Sequence, residues 1–189
     1  MTTVLALVSC SSSAGPGSAS GGSPGAAVSS ATPAADASVD AHAQASASQA
    51  ALYAEAEGVY RAFFADYQEI LVRGGVMELP SEDARYLMQE YYESVQAILR
   101  KLHDLGYKSK PGTAVVLSEL APYPFETRDG SLVTLGVCVD NSGSPLVDAE
   151  GNEYTGKIDF HVVFLKHDTD GLLKIFDGHA REVDQCPVS

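Results

Sequence analysis

The fold is decided by residues 158–165, which read Ile-Asp-Phe-His-Val-Val-Phe-Leu. β-Branched and aromatic residues dominate this stretch, and polar and apolar residues alternate at its start, as is typical of a half-buried strand. Phe160, Val162 and Phe164 share one face, which we interpret as the buried face. Asp159 and His161 share the opposite face, and we therefore expect both side chains to point to solvent.

Three other segments have the same strand-like composition. They are residues 114–117, 132–139 and 172–183. Short stretches rich in Gly, Asn and Asp separate the strands, and these residue types tolerate the conformations that turns require. The turns lie at residues 129–130, 141–143, 150–152 and 168–171. Four strands joined in this way predict an antiparallel sheet.

Two amphipathic helices precede the strands. Apolar residues recur at three-and-four spacing between residues 52 and 72, and Gly74-Gly75 follows as a stop. A second helix is predicted after Pro80, with Ser81 as its cap and Gly106 as its end.

The helical aromatic residues and one histidine invite a ligand-binding interpretation. Tyrosines 60, 67, 91 and 92 lie on or beside the apolar stripes, and we interpret them as core residues whose hydroxyls reach a partner or the rim. His103 is expected to be a partly exposed helix residue rather than a ligand.

Helices followed by strands predict an α+β fold, in which a curved antiparallel sheet wraps around N-terminal helices. This order resembles the nuclear transport factor 2-like, or ketosteroid isomerase-like, fold, which has the shape of a cone. Residues 136–140 (Gly-Val-Cys-Val-Asp), residues 171–175 (Gly-Leu-Leu-Lys-Ile) and Cys186 resemble a group of actinobacterial secreted lipoproteins with that fold. Those relatives often carry tryptophan where this chain has Leu173. The resemblance implies a fold and a location but no reaction.

The chain divides into three parts. Residues 1–10 resemble a partial lipoprotein signal, because Leu7-Val8-Ser9-Cys10 resembles the lipobox in which cysteine becomes lipidated. The run is short and lacks Lys and Arg, so either the start codon is assigned too late or the match is accidental, and a frayed apolar terminus with a chance cysteine is then the alternative. Residues 11–50 are mostly Ser, Ala, Gly and Pro and are expected to be a disordered linker. Residues 51–189 form the predicted cone-like domain.

Composition excludes some partners. The formal net charge of -13 would repel nucleic acid, which binds through clustered Lys and Arg. No apolar stretch approaches the roughly 20 residues of a membrane-spanning helix. The expected contact with the membrane is therefore lipid on Cys10, which places the protein outside the cytoplasm on the outer face of the cell membrane.

Two Asp-x-His pairs are the candidate acid/base groups. Asp159 and His161 share a strand face, and so do Asp177 and His179 on the next strand. Together they could form a proton-transfer site. Alternation on an exposed sheet face gives the same pattern, so no catalytic residue is assigned.

No metal or cofactor is expected. The Asp and His pairs lack the convergent ligand set of a zinc site. Residues 168–171 begin like a calcium loop, but no glutamate follows at the twelfth position, so we interpret them as a hairpin turn. Phosphate-binding, dinucleotide-binding and serine-nucleophile motifs do not occur.

The sequence favours a non-enzymatic surface lipoprotein that binds a small apolar ligand or an envelope protein. The alternative is an isomerase- or dehydratase-like enzyme that uses Asp159 and His161. A module with no pocket is the third possibility.

Cys138 and Cys186 are expected to form a disulfide. Once Cys10 is lipidated they are the only thiols left, and an exported chain meets an oxidising environment. The third predicted strand lies between the strand that carries Cys138 and the strand that precedes Cys186. Two inter-strand spacings add up to ~9.6 Å, which exceeds the distance that a disulfide can bridge between α-carbons. The bond therefore requires the chain after Val183 to curl across the start of the third strand, or the sheet to bend sharply there. Two unpaired buried thiols are the alternative.

Lipidation of Cys10 is testable by metabolic labelling. The substitution Cys10→Ala should abolish incorporation of a fatty-acid probe, because the thiol is the attachment point. Labelling that survives the substitution would contradict the lipobox interpretation.

Overall fold

The computed structural model describes residues 35–110, 113 and 115–188. It is a mixed α+β structure that begins with helices and continues with antiparallel sheets, as predicted. The helices are α1 (Ala35–Arg73), α2 (Ser81–Ala84) and α3 (Gln89–Asp104). The strands are β1 (Lys108–Ser109), β2 (Val116–Pro122), β3 (Val133–Asp140), β4 (Leu146–Val147), β5 (Glu153–Tyr154), β6 (Ile158–His167) and β7 (Leu173–Val183). None of the described helices has the length and apolar character that crossing a bilayer requires.

Helix α1 is longer than the sequence predicted. It begins at Ala35, so the expectation of a disordered linker is wrong for residues 35–50. Alanine has the highest helix propensity, and a helix that is already nucleated extends one residue at a time. Residues 43–51 are nevertheless exposed, and packing begins at Leu52, close to the predicted domain boundary. The predicted signal, Cys10 and residues 11–34 lie outside the described residues.

The second predicted helix is divided in two. Residues Tyr86 to Met88 leave the helical path and make backbone hydrogen bonds with Ile175 of β7, from Ile175 N to Tyr86 O (2.9 Å) and from Met88 N to Ile175 O (2.8 Å). Ser81 does not cap the first piece, which has Pro80 at its N-cap position. Because of this break, backbone groups of residues 86–88 form hydrogen bonds with part of β7, whose outer edge would otherwise be unpaired. The predicted stops are confirmed, since Gly74, Gly75 and Gly106 all have positive φ.

Four strands form the main sheet in the order β2-β3-β6-β7, with every neighbour antiparallel. This confirms the predicted antiparallel sheet of four strands. The first strand differs from its predicted range, because it runs from Val116 to Pro122 and contains a bulge between Leu117 and Glu119. As an edge strand it tolerates both the irregularity and the proline.

A second, three-stranded sheet was not predicted. It has the order β1-β4-β5, and each of its strands has two residues. Strands this short carry no alternating pattern, so only the turns on either side of them were visible in the sequence.

The main sheet is covered on both faces. We call the inner face the one that packs on the helices, with Val133, Leu135, Val137 and Val139 of β3 and Val163 and Leu165 of β6. The outer face is opposite and buries Cys138, Phe160, Val162, Phe164 and Phe176. Both sets come from the same strands because side chains alternate along a strand.

Cations and the C-terminal segment cover the outer face. A basic side chain lies over each of three aromatic rings of this face. The pairs are Arg128 and Phe164, Lys166 and Phe176, and Arg181 and Phe160. Val188 is 6% exposed and packs into the same cluster. A methyl group on Gly136 would come within 2.8 Å of Val188 Cγ1, so glycine at this position lets the C-terminal segment lie against β3.

The predicted disulfide joins Cys138 and Cys186, with 5.9 Å between their α-carbons. Of the two expected routes, the structure shows the first: the chain after Val183 returns over β6, so that Cys186 is bonded to Cys138 of β3 and Val188 lies against Gly136. The bond ties this segment to the sheet.

Removing the disulfide should destabilise the domain. In a Cys10→Ala background, Cys138→Ala combined with Cys186→Ala should lower the free energy of unfolding by about 4 kcal/mol on the chain-entropy model for this loop. Urea denaturation measures the change. Two thiols that become alkylatable after denaturation without reductant, in the chain that retains both cysteines, would contradict the bond.

Candidate functional site

A cavity of about 450 Å³ lies between the helices and the two sheets. Helix α1 contributes Phe64, Tyr67 and Leu71, and α3 contributes Ile98 and Leu102. The main sheet contributes Val139, Asp159 and His161, and the small sheet contributes Ser109, Leu146 and Tyr154. Apolar atoms make up most of the exposed lining, and polar side chains interrupt it, among them also Gln68, Ser144 and Thr155. A wider, open depression of about 630 Å³ beside Pro80 and Tyr92 is a surface groove that contains neither Asp-x-His pair.

His161 lies inside the protein. Its Nδ1 is 3.2 Å from the hydroxyl of Tyr60, which is 1% exposed. His161 pairs across the sheet with Val137 of the inner face. The prediction that Asp159 and His161 point to solvent is wrong, because both line the cavity on the inner face and are only partly exposed. Phe160, Val162 and Phe164 are buried as predicted, but on the outer face.

Asp159 lines the same cavity near the start of β6. One of its oxygens, Oδ2, accepts a hydrogen bond of 2.8 Å from Nδ2 of Asn141, which also lines the cavity. Asp159 pairs with Val139 across the sheet, and directly opposed residues point to the same face. Asp159 and His161 thus come together in one cavity as the sequence pairing proposed.

Asp177 and His179 do not join them. They pair with Phe164 and Val162, whose side chains lie on the outer face. Asp177 forms an ion pair of 3.0 Å with Arg128, and His179 is 3.4 Å from Glu126. A register shift in β7 beside Phe164 and Leu165 sets this arrangement, and sequence spacing does not reveal it. The idea of one site built from both pairs is therefore wrong.

Burial shapes the protonation of the cavity groups. Desolvation lowers the pKa of His161, although the charge of Asp159 opposes the change. Burial raises the pKa of Tyr67 to about 12, with a further contribution from Asp159. The pKa of Tyr60 is also raised by burial. Burial therefore favours the neutral forms of the imidazole and both phenols at neutral pH.

The small sheet forms one side of the cavity opening. Asp148 accepts hydrogen bonds from the backbone of Glu150 and Asn152 and from the hydroxyl of Tyr154 (3.0 Å). These bonds orient Tyr154, whose ring packs edge-on against Tyr107. An ordinary turn in the sequence therefore positions an aromatic group at the opening.

The sequence did not reveal which residues line the cavity or which partners hold the lining residues in place. Tyr60 was correctly interpreted as a core tyrosine with a partnered hydroxyl, but its partner lies 101 positions away. Asn141 was assigned only to a turn. Ser109 lines the cavity, and its buried Oγ has no hydrogen-bond partner among the described residues. The apolar residues at odd positions 133 to 139 of β3 were the available sign that the odd-numbered face, which includes His161, is buried.

The metal and calcium alternatives find no support in the described ranges. No group of three or more His, Cys, Asp or Glu residues there could hold a metal ion. Asp168 instead accepts backbone hydrogen bonds within the β6-β7 hairpin and pairs with Lys174, which confirms the hairpin interpretation. His103 is exposed, as expected.

The chain has only distant similarity to known proteins. No protein-family model matches the chain, and no curated protein is significantly similar to it. The intermembrane space region of the chloroplast protein ARC6 is similar at 16% identity and a TM-score of 0.41, over 66% of this chain and 95% of that one. A protein from Catenulispora acidiphila is similar at 17% identity and a TM-score of 0.40, over 71% and 93% of the two chains. The protein Aln2 from a Streptomyces species is similar at 14% identity and a TM-score of 0.38, over 69% and 90%. Similarity at this level assigns neither a fold family nor a function.

The titration of His161 tests the site electrostatics. We expect its pKa, followed by NMR of the imidazole protons, to lie below the unperturbed 6.5, because burial disfavours the imidazolium. Asp159→Asn should lower it further by removing the nearby negative charge. In the unsubstituted chain, the imidazole of His161 binds a proton more tightly in the unfolded state than in the folded state. The free energy of unfolding should therefore decrease as the pH falls below 6.5.

The matched control for this titration is Asp177→Asn, the same change on the outer face, which should leave the pKa of His161 unchanged. A pKa at or above 6.5 in the unmodified chain, or equal shifts in both variants, would contradict the placement.

Proposed function

We propose that this chain is an exported, lipid-anchored protein whose domain binds a small, mostly apolar ligand in the cavity of about 450 Å³. The observation that carries this proposal is the cavity itself, in which a mostly apolar exposed area is combined with polar groups, and in which hydrogen bonds orient Asp159 and His161. Such an arrangement gives affinity by apolar burial and orientation by hydrogen bonds. A cavity of this size favours ligand binding over a module with a filled interior.

The unpartnered Ser109 hydroxyl supports a polar contact with the ligand. A buried hydroxyl that lacks a partner costs about 1–3 kcal/mol. A ligand group that accepted or donated a hydrogen bond at Ser109 Oγ would recover part of that cost.

The proposed fold is the nuclear transport factor 2-like cone. Its support is the order of the elements, with helices first and then an antiparallel sheet whose inner face packs on them. Bulges in β2 and β7 are the features that bend such a sheet.

Export and anchoring are proposed from two features. The lipobox-like sequence ending in Cys10 supplies the attachment point. The Cys138–Cys186 disulfide favours an oxidising compartment, because cytosolic thiols are kept reduced. Attachment at Cys10 would place the domain at the outer face of the membrane, where an envelope protein is the alternative partner.

An isomerase- or dehydratase-like enzyme is the second candidate function. The observation that favours it is that Asp159 and His161 line the cavity together, with a carboxylate and a neutral imidazole both available for proton transfer. An enzyme of this kind would lose turnover in Asp159→Asn while it retained ligand binding. A binding protein would have no turnover to lose.

Filling the cavity tests the binding proposal. Leu71→Trp, in a Cys10→Ala chain, should weaken binding of the neutral fluorescent probe N-phenyl-1-naphthylamine by about tenfold or more, equivalent to about 1.4 kcal/mol, because the indole occupies the probe's space. Fluorescence titration measures the affinity.

The matched control is Leu172→Trp in the β6-β7 hairpin, where the side chain is 58% exposed and away from the cavity. This variant should bind the probe normally. Absence of probe binding to the unsubstituted cavity, or equal binding by both tryptophan variants, would overturn the proposal.

A further inference from the structure

The buried hydroxyl of Tyr60 fixes the proton position on His161. Tyr60 is 1% exposed, and Nδ1 of His161 is the only hydrogen-bond contact of its hydroxyl in the described part of the chain. A buried phenol that did not donate its proton would pay the cost of an unmade hydrogen bond. Tyr60 therefore donates to Nδ1, which must be unprotonated, and the neutral imidazole carries its proton on Nε2.

This tautomer gives the cavity a hydrogen-bond donor. With Nδ1 occupied by Tyr60, the group that His161 has left for a ligand is Nε2–H. Burial lowers the pKa of His161 and raises that of Tyr60, so both groups stay neutral and the donor persists at neutral pH.

Asp159 supplies the complementary acceptor. It lies two residues from His161 on the same strand face, and its Oδ2 is occupied by Asn141 at 2.8 Å. A carboxylate has about four acceptor positions and no donor when ionised, so acceptor capacity remains for a ligand. Asp159 and His161 therefore present an acceptor and a donor side by side.

The charge of the lining sets the kind of head group. Among the described residues that line this cavity, Asp159 is the only acidic one, and none is lysine or arginine. An anionic head would meet the Asp159 carboxylate without a cation to offset it, and the low dielectric of an apolar cavity strengthens that repulsion.

The apolar lining continues to the surface. Four residues line both the cavity and an adjoining surface groove, namely Ile98, Leu102, Leu146 and Tyr154, and Leu105 borders only the groove. Ile98, Leu105 and Tyr154 are 53%, 51% and 49% exposed. Lys101 lies on this groove, outside the cavity lining. An apolar chain too long for the cavity can thus extend along the groove.

We propose that the cavity selects a neutral, elongated amphipathic molecule whose head group both accepts a hydrogen bond from His161 and donates one to Asp159, as a primary amide does, and that it rejects the corresponding carboxylate. This inference rests on the proposed function and names the ligand class of the same site.

Competition between matched ligands tests the inference. Decanamide and decanoate share one chain length and differ in the head group, and each can be titrated against bound N-phenyl-1-naphthylamine in the Cys10→Ala chain at neutral pH. Decanamide should bind at least about tenfold more tightly, because like charges in a desolvated site repel strongly. Asp159→Asn should bring the ratio close to one, mainly by improving decanoate binding.

Asp177→Asn is the matched control, since it makes the same chemical change on the outer face and should leave the ratio unchanged. If the two ligands displace the probe equally in the unsubstituted cavity, or if Asp159→Asn leaves the preference intact, the head-group inference is wrong while the proposed function stands. If neither the probe nor either ligand binds, both are wrong.

The tautomer has its own readout. Long-range ¹H–¹⁵N correlation spectra of His161 should show the proton on Nε2, and Tyr60→Phe should remove the preference. A proton on Nδ1 in the unsubstituted chain would overturn the assignment of His161 as the donor.

Discussion

Strand β6 is buried on both faces, and the rest of the structure depends on this constraint. Its odd-numbered residues face the helices, and its even-numbered aromatic residues face the outer cover, where the C-terminal segment and Arg181 lie near Phe160 and Arg128 lies over Phe164. A central strand of this kind needs two covers. Helices α1 and α3 supply one, while the disulfide between Cys138 and Cys186 holds the other in place. The register of β6 cannot slip by one residue without exchanging the two sets of side chains.

The same constraint creates the cavity. Asp159 and His161 occupy odd positions, so the register that buries Val163 and Leu165 also carries two polar groups into the interior. Polar groups that are largely removed from water require partners, and Tyr60 and Asn141 provide them for His161 and Asp159. Each partner leaves part of the hydrogen-bonding capacity unused, and that remainder is what a ligand can contact. The hydrogen bonds that satisfy Asp159 and His161 in the folded chain therefore also orient the groups that a ligand would contact.

Local patterns in the sequence were sufficient for most of the secondary structure. Strands β3, β6 and β7 match their predicted ranges closely, and the glycines at 74, 106, 130 and 171 occupy the turns and helix ends expected of them. The disulfide followed from counting the thiols left in an exported chain, and strand spacing showed only that the bond needs a departure from a flat sheet. These features depend on residues near one another in sequence, or on chemistry with few alternatives.

The features that the sequence did not reveal depend on long-range contacts or on competing tendencies. The interpretation of Asp159 and His161 as exposed assumed that β6 has one buried face, and it failed because the covering segment comes from residues 184–188. The helix over residues 35–50 was missed because its lack of large apolar side chains was weighed above the propensity of alanine. The division between α2 and α3 arises from pairing with β7, which the helical spacing of the apolar residues does not reveal.

One measurement tests most directly whether the face of β6 that carries Asp159 and His161 packs against α1. In a NOESY spectrum of the folded chain with its disulfide intact, the ring protons of His161 should show cross-peaks to the ring protons of Tyr60, because the two side chains are joined by a contact of 3.2 Å. Cross-peaks from the His161 ring to Val188 of the C-terminal segment, with none to Tyr60, would place His161 on the outer face and contradict the account.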